Sequence, residues 1–353
     1  MTNKDLIDRL EQKAYLQKEE WIALLSGYNE EDRAYAAVRA RSMADRYFGK
    51  RIYIRGLIEF TSFCRNDCYY CGLRRSNEKA QRYRLSQEEI LACCEAGYEL
   101  GFRTFVLQGG EDAYYTDERM ESIIREIKER FPDCALTLSI GEKEEASYRR
   151  FYEAGADRYL LRHETAQEAH YHLLHPPEMS LSRRKECLHQ LKAIGFQTGC
   201  GFMVGSPGQT PETLAEDMAL IHELHPQMVG IGPFLPHKDT PFAGQEKGGY
   251  ELTLFLLSLI RLMERNVLLP ATTALGTIHP KGREEGILAG ANVVMPNLSP
   301  VSVRKKYSLY DNKICTGDEA AECVACMKRR MRSIGYEIVS LRGDYVSITK
   351  ERE

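Results

Sequence analysis

The feature that most constrains this chain is a regular alternation. Short runs rich in apolar and β-branched residues recur eight times, at 51–60, 103–108, 134–140, 157–164, 196–205, 227–234, 269–275 and 291–296. The spacers between them are mostly long enough for one crossover helix each. Eight β/α units in succession predict an α/β fold, a complete (β/α)8 TIM-type barrel over residues 51–300, although periodicity alone also admits a doubly wound open sheet. Ahead of it, residues 1–50 read as an N-terminal helical extension, because apolar positions there recur at three- and four-residue spacing. Beyond it, 301–353 form a tail that carries cysteines. A chain of 353 residues accommodates one barrel with extensions as readily as two average domains.

Polar residues clustered at the C-terminal ends of the strands favour the barrel, because barrel active sites are built there. In the third strand Thr137 and Ser139 share parity, opposite to Leu136, Leu138 and Ile140. A polar layer turned toward a lumen is therefore expected. The plainer alternative, a solvated strand face, is seldom found in parallel strands covered by helices.

Composition narrows the functional classes. A hydrophobic fraction of 43% with 28% charged residues suits a globular chain with a sizeable core. The net charge is −3 and the 48 basic residues are dispersed, which argues against nucleic acid or anionic lipid as a partner. The N-terminal sequence lacks the apolar core of a signal peptide, and the stretch 252–260 is too short to span a bilayer, so a cytoplasmic, membrane-free protein is expected. Eleven cysteines in a reducing compartment read as metal ligands or buried small hydrophobes before they read as disulfides. Cys93, Cys94, Cys134, Cys187 and Cys200 lie inside helical or strand patterns and are expected to be packing residues.

Cys64, Cys68 and Cys71 form a CxxxCxxC group directly after the first strand. A 4Fe-4S cluster usually takes four cysteines, so three would leave one iron open to an external ligand. A structural zinc site is the competing reading. After the second strand stands Gly109-Gly110-Glu111, and after the fourth Leu161-Arg162-His163-Glu164-Thr165. Charges at a barrel mouth need partners, either a cofactor with hydroxyls and a carboxylate or, more plainly, each other as an Arg162–Glu164 ion pair.

The CxxxCxxC spacing, with Tyr70 before the third cysteine, resembles the radical S-adenosylmethionine (SAM) superfamily. The segments Gln108-Gly-Gly-Glu-Asp, YLLRHETA from Tyr159, MVGSPGQT from Met203, MVGIGPFLPHKDTP from Met228, PATTALGT from Pro270 and ANVVMPN from Ala291 together resemble the FeFe-hydrogenase maturase HydE family, over about residues 50 to 330. That resemblance implies a full barrel with a long internal cavity. It also implies a 4Fe-4S cluster on Cys64, Cys68 and Cys71, and SAM held by Tyr70, Gly109, Gly110, Glu111, Ser139, Glu164, Arg184, Gly232 and Met295. For the arginine, Arg183 is an adjacent alternative. Arg162, Thr272 and Thr273 would form an anion site, which a guanidinium beside two hydroxyls suits physically. Gln108, Tyr307 and Tyr310 would line the reaction region.

The implied activity is reductive cleavage of SAM to a 5′-deoxyadenosyl radical acting on a small-molecule or organometallic substrate, a cysteine-bound iron complex with carbon monoxide and cyanide. The implied partners are a reductase or ferredoxin and other hydrogenase maturases. Cys315, Cys323 and Cys326 resemble a second iron–sulfur site found in some family members, and an inert site remains open because no fourth ligand is evident. Two alternatives stand beside this reading. One is a methylornithine-synthase-like or biotin-synthase-like enzyme; the other is an iron–sulfur carrier or scaffold that catalyses nothing.

Overall fold

The structure, a computed structural model, describes residues 1–317 and 320–347, and of 320–323 the backbone only. The first expected strand is divided at Arg55 into β1 (Arg51–Ile54) and β2 (Gly56–Thr61), followed by β3 (Thr104–Gly109), β4 (Ala135–Ser139) and β5 (Arg158–Leu160). Then come β6 (Gln197–Cys200), β7 (Met203–Val204), β8 (Met228–Val229), β9 (Gly232–Pro233), β10 (Val293–Val294) and β11 (Glu337–Val339). Six of them pair in the order β2-β3-β4-β5-β6-β8, all parallel. β1 lies between β10 and β11, and β7 pairs with β9, again in parallel.

The fold is thus α/β with a parallel sheet, and the hydrogen-bonded ladder does not close into one continuous eight-stranded sheet. Single parallel bridges, Met228 to Leu268, Pro270 to Val293 and Leu57 to Asn297, connect the two larger sheets. The physical reason is clearest at the seventh expected strand, 269–275. Pro270 has no N–H to donate to a ladder, and a helix begins at Thr273. The fifth and sixth runs are interrupted where two backbones meet: a Cβ on Gly201, which sits at φ +150°, would lie 2.1 Å from the Gly230 carbonyl oxygen.

Helices between the strands have legible causes. Ser86 caps Gln87–Glu99, its hydroxyl accepting from Glu89 N while the Glu89 carboxylate accepts from Ser86 N. Thr210 caps Pro211–Leu224 with the same two-way exchange, answered by Thr213, whereas Thr116 and Ser180 cap Asp117–Arg130 and Leu181–Ile194 by accepting alone. In Asp117–Arg130 the buried residues are Met120, Ile123, Ile124 and Ile127, one face at helical spacing. Burying each such side chain stabilises the fold by about 1.5–3 kcal/mol.

The N-terminal residues fold as Asn3–Lys13, Lys18–Gly27 and Glu30–Phe48, with breaks at the left-handed Ala14 and at Tyr28. Their apolar faces join the main core, with Tyr28 stacked on Phe255 and Arg41 donating to the carbonyls of Ile287 and Ala291. Cys93, Cys94, Cys134, Cys187 and Cys200 are buried free thiols. Among the described residues no helix is long and apolar enough to cross a membrane.

The tail covers the N-terminal ends of the strands. Arg158 at the start of β5 donates to the Arg342 carbonyl (2.9 Å) and to Asp344 (2.7 Å); Thr104 at the start of β3 also donates to the Arg342 carbonyl (2.7 Å). That leaves the C-terminal ends as the open side.

Candidate active site

The cysteine loop follows β2 and is anchored on several sides. Arg65 N donates to the Glu111 carbonyl (2.9 Å), Tyr69 N to that of Leu174 (3.0 Å) and Gly72 N to that of Leu309 (2.9 Å). The Arg82 guanidinium clasps it from within, donating to the carbonyls of Ser62, Leu73, Arg74 and Asn77. Asp67 accepts from Arg74 and from Ser76 N, and the Arg74 hydrogen bond holds its carboxyl well below the usual carboxylate range.

Two glycines permit the close approach of neighbouring loops. A Cβ on Gly110 would lie 2.3 Å from the Phe63 carbonyl oxygen and 2.6 Å from Cys64 Cβ; one on Gly72 would lie 2.2 Å from the Ser308 carbonyl oxygen. Burial raises all three thiol pKa values, Cys68 far up and Cys71 to about 12, with Cys64 adding to the Cys71 shift. Three such thiols together resist becoming thiolates in the bare protein. A cationic metal cluster is the counter-charge that reverses this, so the donor set fits an iron–sulfur group.

Beside this loop, at the C-terminal ends of the strands, opens a cavity of about 330 Å³. Tyr70 and Cys71 reach it from the loop, Gln108 and Gly109 from the end of β3, and Ser139 from the end of β4. Arg162, Glu164 and Arg184 line it further round, followed by Gly232, Thr272, Thr273 and Met295. Tyr307 and Tyr310 reach it from the tail, and Gln108 Nε2 donates to the Tyr307 hydroxyl (3.3 Å). Cys64, Cys68, Gly110 and Glu111 stand outside its lining. Glu111 accepts from Arg65 Nε (2.9 Å) and from Glu142 N (2.8 Å). Arg184 points inward, donating to Glu142 and to the Arg162 carbonyl, whereas Arg183 pairs with Glu144 and Glu186 outside.

Two polar groups among the residues lining this space have no partner. Glu164 sits in the left-handed region at φ +64°, uncommon for a non-glycine residue, and its Oε2 is buried without a hydrogen bond. Burial raises its pKa, opposed chiefly by Arg162 and Arg184, yet no ion pair between Glu164 and Arg162 forms among the described residues. The Thr272 hydroxyl is likewise buried and unpartnered, although Thr272 is the N-cap of Thr273–Ile278, where such a hydroxyl ordinarily caps the helix. A Cβ on Gly232 would lie 2.8 Å from that hydroxyl oxygen. Buried polar groups left this way are costly unless something else satisfies them. A ligand with hydroxyls, an amine and a carboxylate, such as SAM, fits that inventory.

The cavity also contains a pair that the sequence motifs did not single out. Glu59, buried in β2, accepts from Lys313 and, at 2.7 Å, from Asn297 Nδ2. Lys313 Nζ also donates to the Tyr307 carbonyl (3.0 Å) and both charges line the space. An acid inside a strand whose six residues are all buried was the available signal. At the tail, Cys315 Sγ accepts from Arg283 of the helix Gly282–Leu288 (3.6 and 3.7 Å), Cys326 is exposed, and Arg330 lies near both thiols. The side chain of Cys323 lies outside the described residues.

Comparison with known proteins fits this geometry. Residues 58–221 match the model of the Radical SAM superfamily. The FeFe-hydrogenase maturase subunit HydE of Thermotoga maritima is 41% identical over 338 residues, 95% of each chain. A crystal structure of methylornithine synthase superposes with a TM-score of 0.84 at 28% identity, covering 95% of this chain and 97% of that one. The maturase HydG superposes with a TM-score of 0.80 at 19% identity over 96% of this chain and 76% of that one, which is a likeness of fold. At 41% identity to HydE over 95% of each chain, and with the superfamily model matched, the chain belongs to the HydE family of radical SAM enzymes.

Proposed function

We propose that this HydE-type enzyme acts on a cysteine-bound iron carbonyl and cyanide complex during assembly of the FeFe-hydrogenase active site. The relative's name supports hydrogenase maturation, and the unpartnered Glu164 and Thr272 in one cavity carry the assignment of the site. Cys64, Cys68 and Cys71 would hold a 4Fe-4S cluster. Such a cluster, with SAM beside it, would supply the one-electron reduction that releases the 5′-deoxyadenosyl radical.

The chain's own residues do the positioning. Glu164 would accept from ribose hydroxyls, with Ser139 and Arg184 toward the methionyl group and Gly232 and Met295 beside the adenosyl group. Glu111, engaged by Arg65 and Glu142 N, would shape the loop that meets the methionyl amine, with Gly109 and Gly110 allowing its approach and Tyr70 flanking it. Arg162, Thr272 and Thr273 would cradle the substrate's carboxylate by charge-assisted hydrogen bonds. Gln108, Tyr307 and Tyr310 would close the space around the reacting atoms and exclude water. The single bridges between the sheets are read as the remaining seams of a complete barrel over 51–300, between a helical extension (1–50) and the tail (301–353). In the cytoplasm a reductase or ferredoxin would supply electrons and other maturases would exchange substrate and product. A second cluster on Cys315, Cys323 and Cys326 belongs to the same proposal.

The likeness to methylornithine synthase makes lysine the competing substrate. Reconstituted enzyme is incubated with SAM and reductant, separately with the iron–cysteine complex and with lysine. Substrate-dependent 5′-deoxyadenosine with the iron complex alone is the expected result. Formation of a lysine isomer would overturn the proposal.

A further inference from the structure

At the C-terminal ends of two helices, outside the lining of the cavity, we infer that His222, His225 and Glu264 form a binding site for a divalent transition cation such as zinc. The helices Pro211–Leu224 and Tyr250–Met263 end side by side there. His222 lies in the last turn of the first, His225 is its C-cap, and Glu264 is the C-cap of the second. The left-handed backbone of His225, at φ +43°, turns its ring back toward that of His222, with ring centroids 5.0 Å apart. One ligand atom from each of the three residues lies within 4.8 Å of the others. His225 Nδ1 stands 3.1 Å from Glu264 Oε1, and His222 Nδ1 stands 4.0 Å from the same oxygen.

The second observation is an unpartnered ring nitrogen. His222 Nδ1 is buried and has no hydrogen-bond partner. A buried imidazole nitrogen left so is costly, and a metal ion satisfies it directly. Two imidazoles and one carboxylate with a solvent-filled fourth position make a tetrahedral zinc set, and ligand–metal distances of about 2.0–2.2 Å would require the side chains to close in by roughly 1 Å. Converging helix C-termini also favour positive charge. Lys192 Nζ already exploits this by donating to the carbonyls of Leu224 and His225, and its charge also reaches His225 and Glu264, so the three direct ligands would hold the ion against that repulsion. Tyr15, from the link between the first two helices, packs against the His222 ring at 5.0 Å between centroids and would fix its orientation. A bound ion would tie the two helix ends together, with the Tyr15 ring packed on one ligand.

The test uses holoprotein whose iron sites are already filled, titrated with zinc by calorimetry and followed by thermal unfolding. His225→Asn is the variant, because asparagine tolerates the left-handed backbone and the position is 60% exposed, so the fold is preserved. Wild type should bind one zinc per chain and melt at a higher temperature when zinc is present. The variant should bind at least tenfold more weakly and lose the shift. Glu264→Gln should do the same. Zinc uptake by His225→Asn equal to wild type would place the ion elsewhere, on the tail cysteines for example, and overturn the site; so would no uptake by wild type.

Discussion

Replacing Gly110 by alanine probes whether the cysteine loop and the Gly-Gly-Glu turn must touch. The added Cβ would meet the Phe63 carbonyl oxygen at 2.3 Å and Cys64 Cβ at 2.6 Å, where ordinary contacts begin near 3.4 Å. Neither neighbour is the tip of a flexible side chain, so the backbone at 63–64 must retreat by about 1 Å, at a cost of about 1–3 kcal/mol. At roughly 2.1 cal/mol/K per residue, that lowers the melting temperature of a chain this long by only about 1–4 °C. The fold survives. The site does not, because a ligating constellation tolerates about 0.5 Å of misplacement and Cys64 is the residue pushed aside. Iron content after anaerobic reconstitution and 5′-deoxyadenosine yield are the readouts, with Gly244→Ala as control because nothing lies within 4 Å of its Cβ. Iron below wild type and at least a tenfold loss of product are expected from Gly110→Ala. Full iron and full product would refute the packing argument.

Three further outcomes follow from single side chains. Glu164→Gln removes a buried charge aimed at the cavity and should weaken SAM binding about tenfold, the equivalent of about 1.4 kcal/mol, in equilibrium titrations. Thr272→Val removes a hydroxyl that makes no bond in the protein, so stability should stay level or rise by about 1 kcal/mol while substrate-dependent turnover falls; a large loss of stability would mean the hydroxyl is structural. His175 is buried against Tyr70 and Tyr171, and burial, then Arg184, lowers its pKa to about 3. The unfolded chain takes up the proton first, so its contribution is complete above about pH 6.5 and is lost as pH falls toward 3. In denaturant titrations of the cluster-free protein between pH 4 and 6, His175→Gln should reduce the slope of stability against pH by about 1.4 kcal/mol per unit. An unchanged slope would show that other groups govern acid unfolding.

What could be read from the chain alone was governed by local periodicity. Strand-end positions announced themselves, because Ser139, Arg162 and Glu164 break apolar runs at the end where parallel strands open. Arg184 was separable from Arg183 by helix phase: it shares the buried face of Leu181, Cys187, Leu188 and Leu191, and that spacing was in the sequence. Closure of the sheet was less legible, since the segment from 269 looks like a strand by composition until Pro270 and the Thr272 helix cap are weighed. Least legible was the Glu59–Lys313 pair, whose members stand 254 positions apart. Pairing across that separation is created by the fold, and only the odd acid in a buried strand hinted at it.

The central claim is that the three-cysteine loop holds a cluster with one iron available to SAM. Electron paramagnetic resonance of the anaerobically reconstituted, reduced protein tests it most directly, recorded with and without SAM and repeated on Cys68→Ala. The account predicts a reduced 4Fe-4S signal that changes when SAM is added and that Cys68→Ala lacks. A signal indifferent to SAM, or one that Cys68→Ala retains in full, would contradict it.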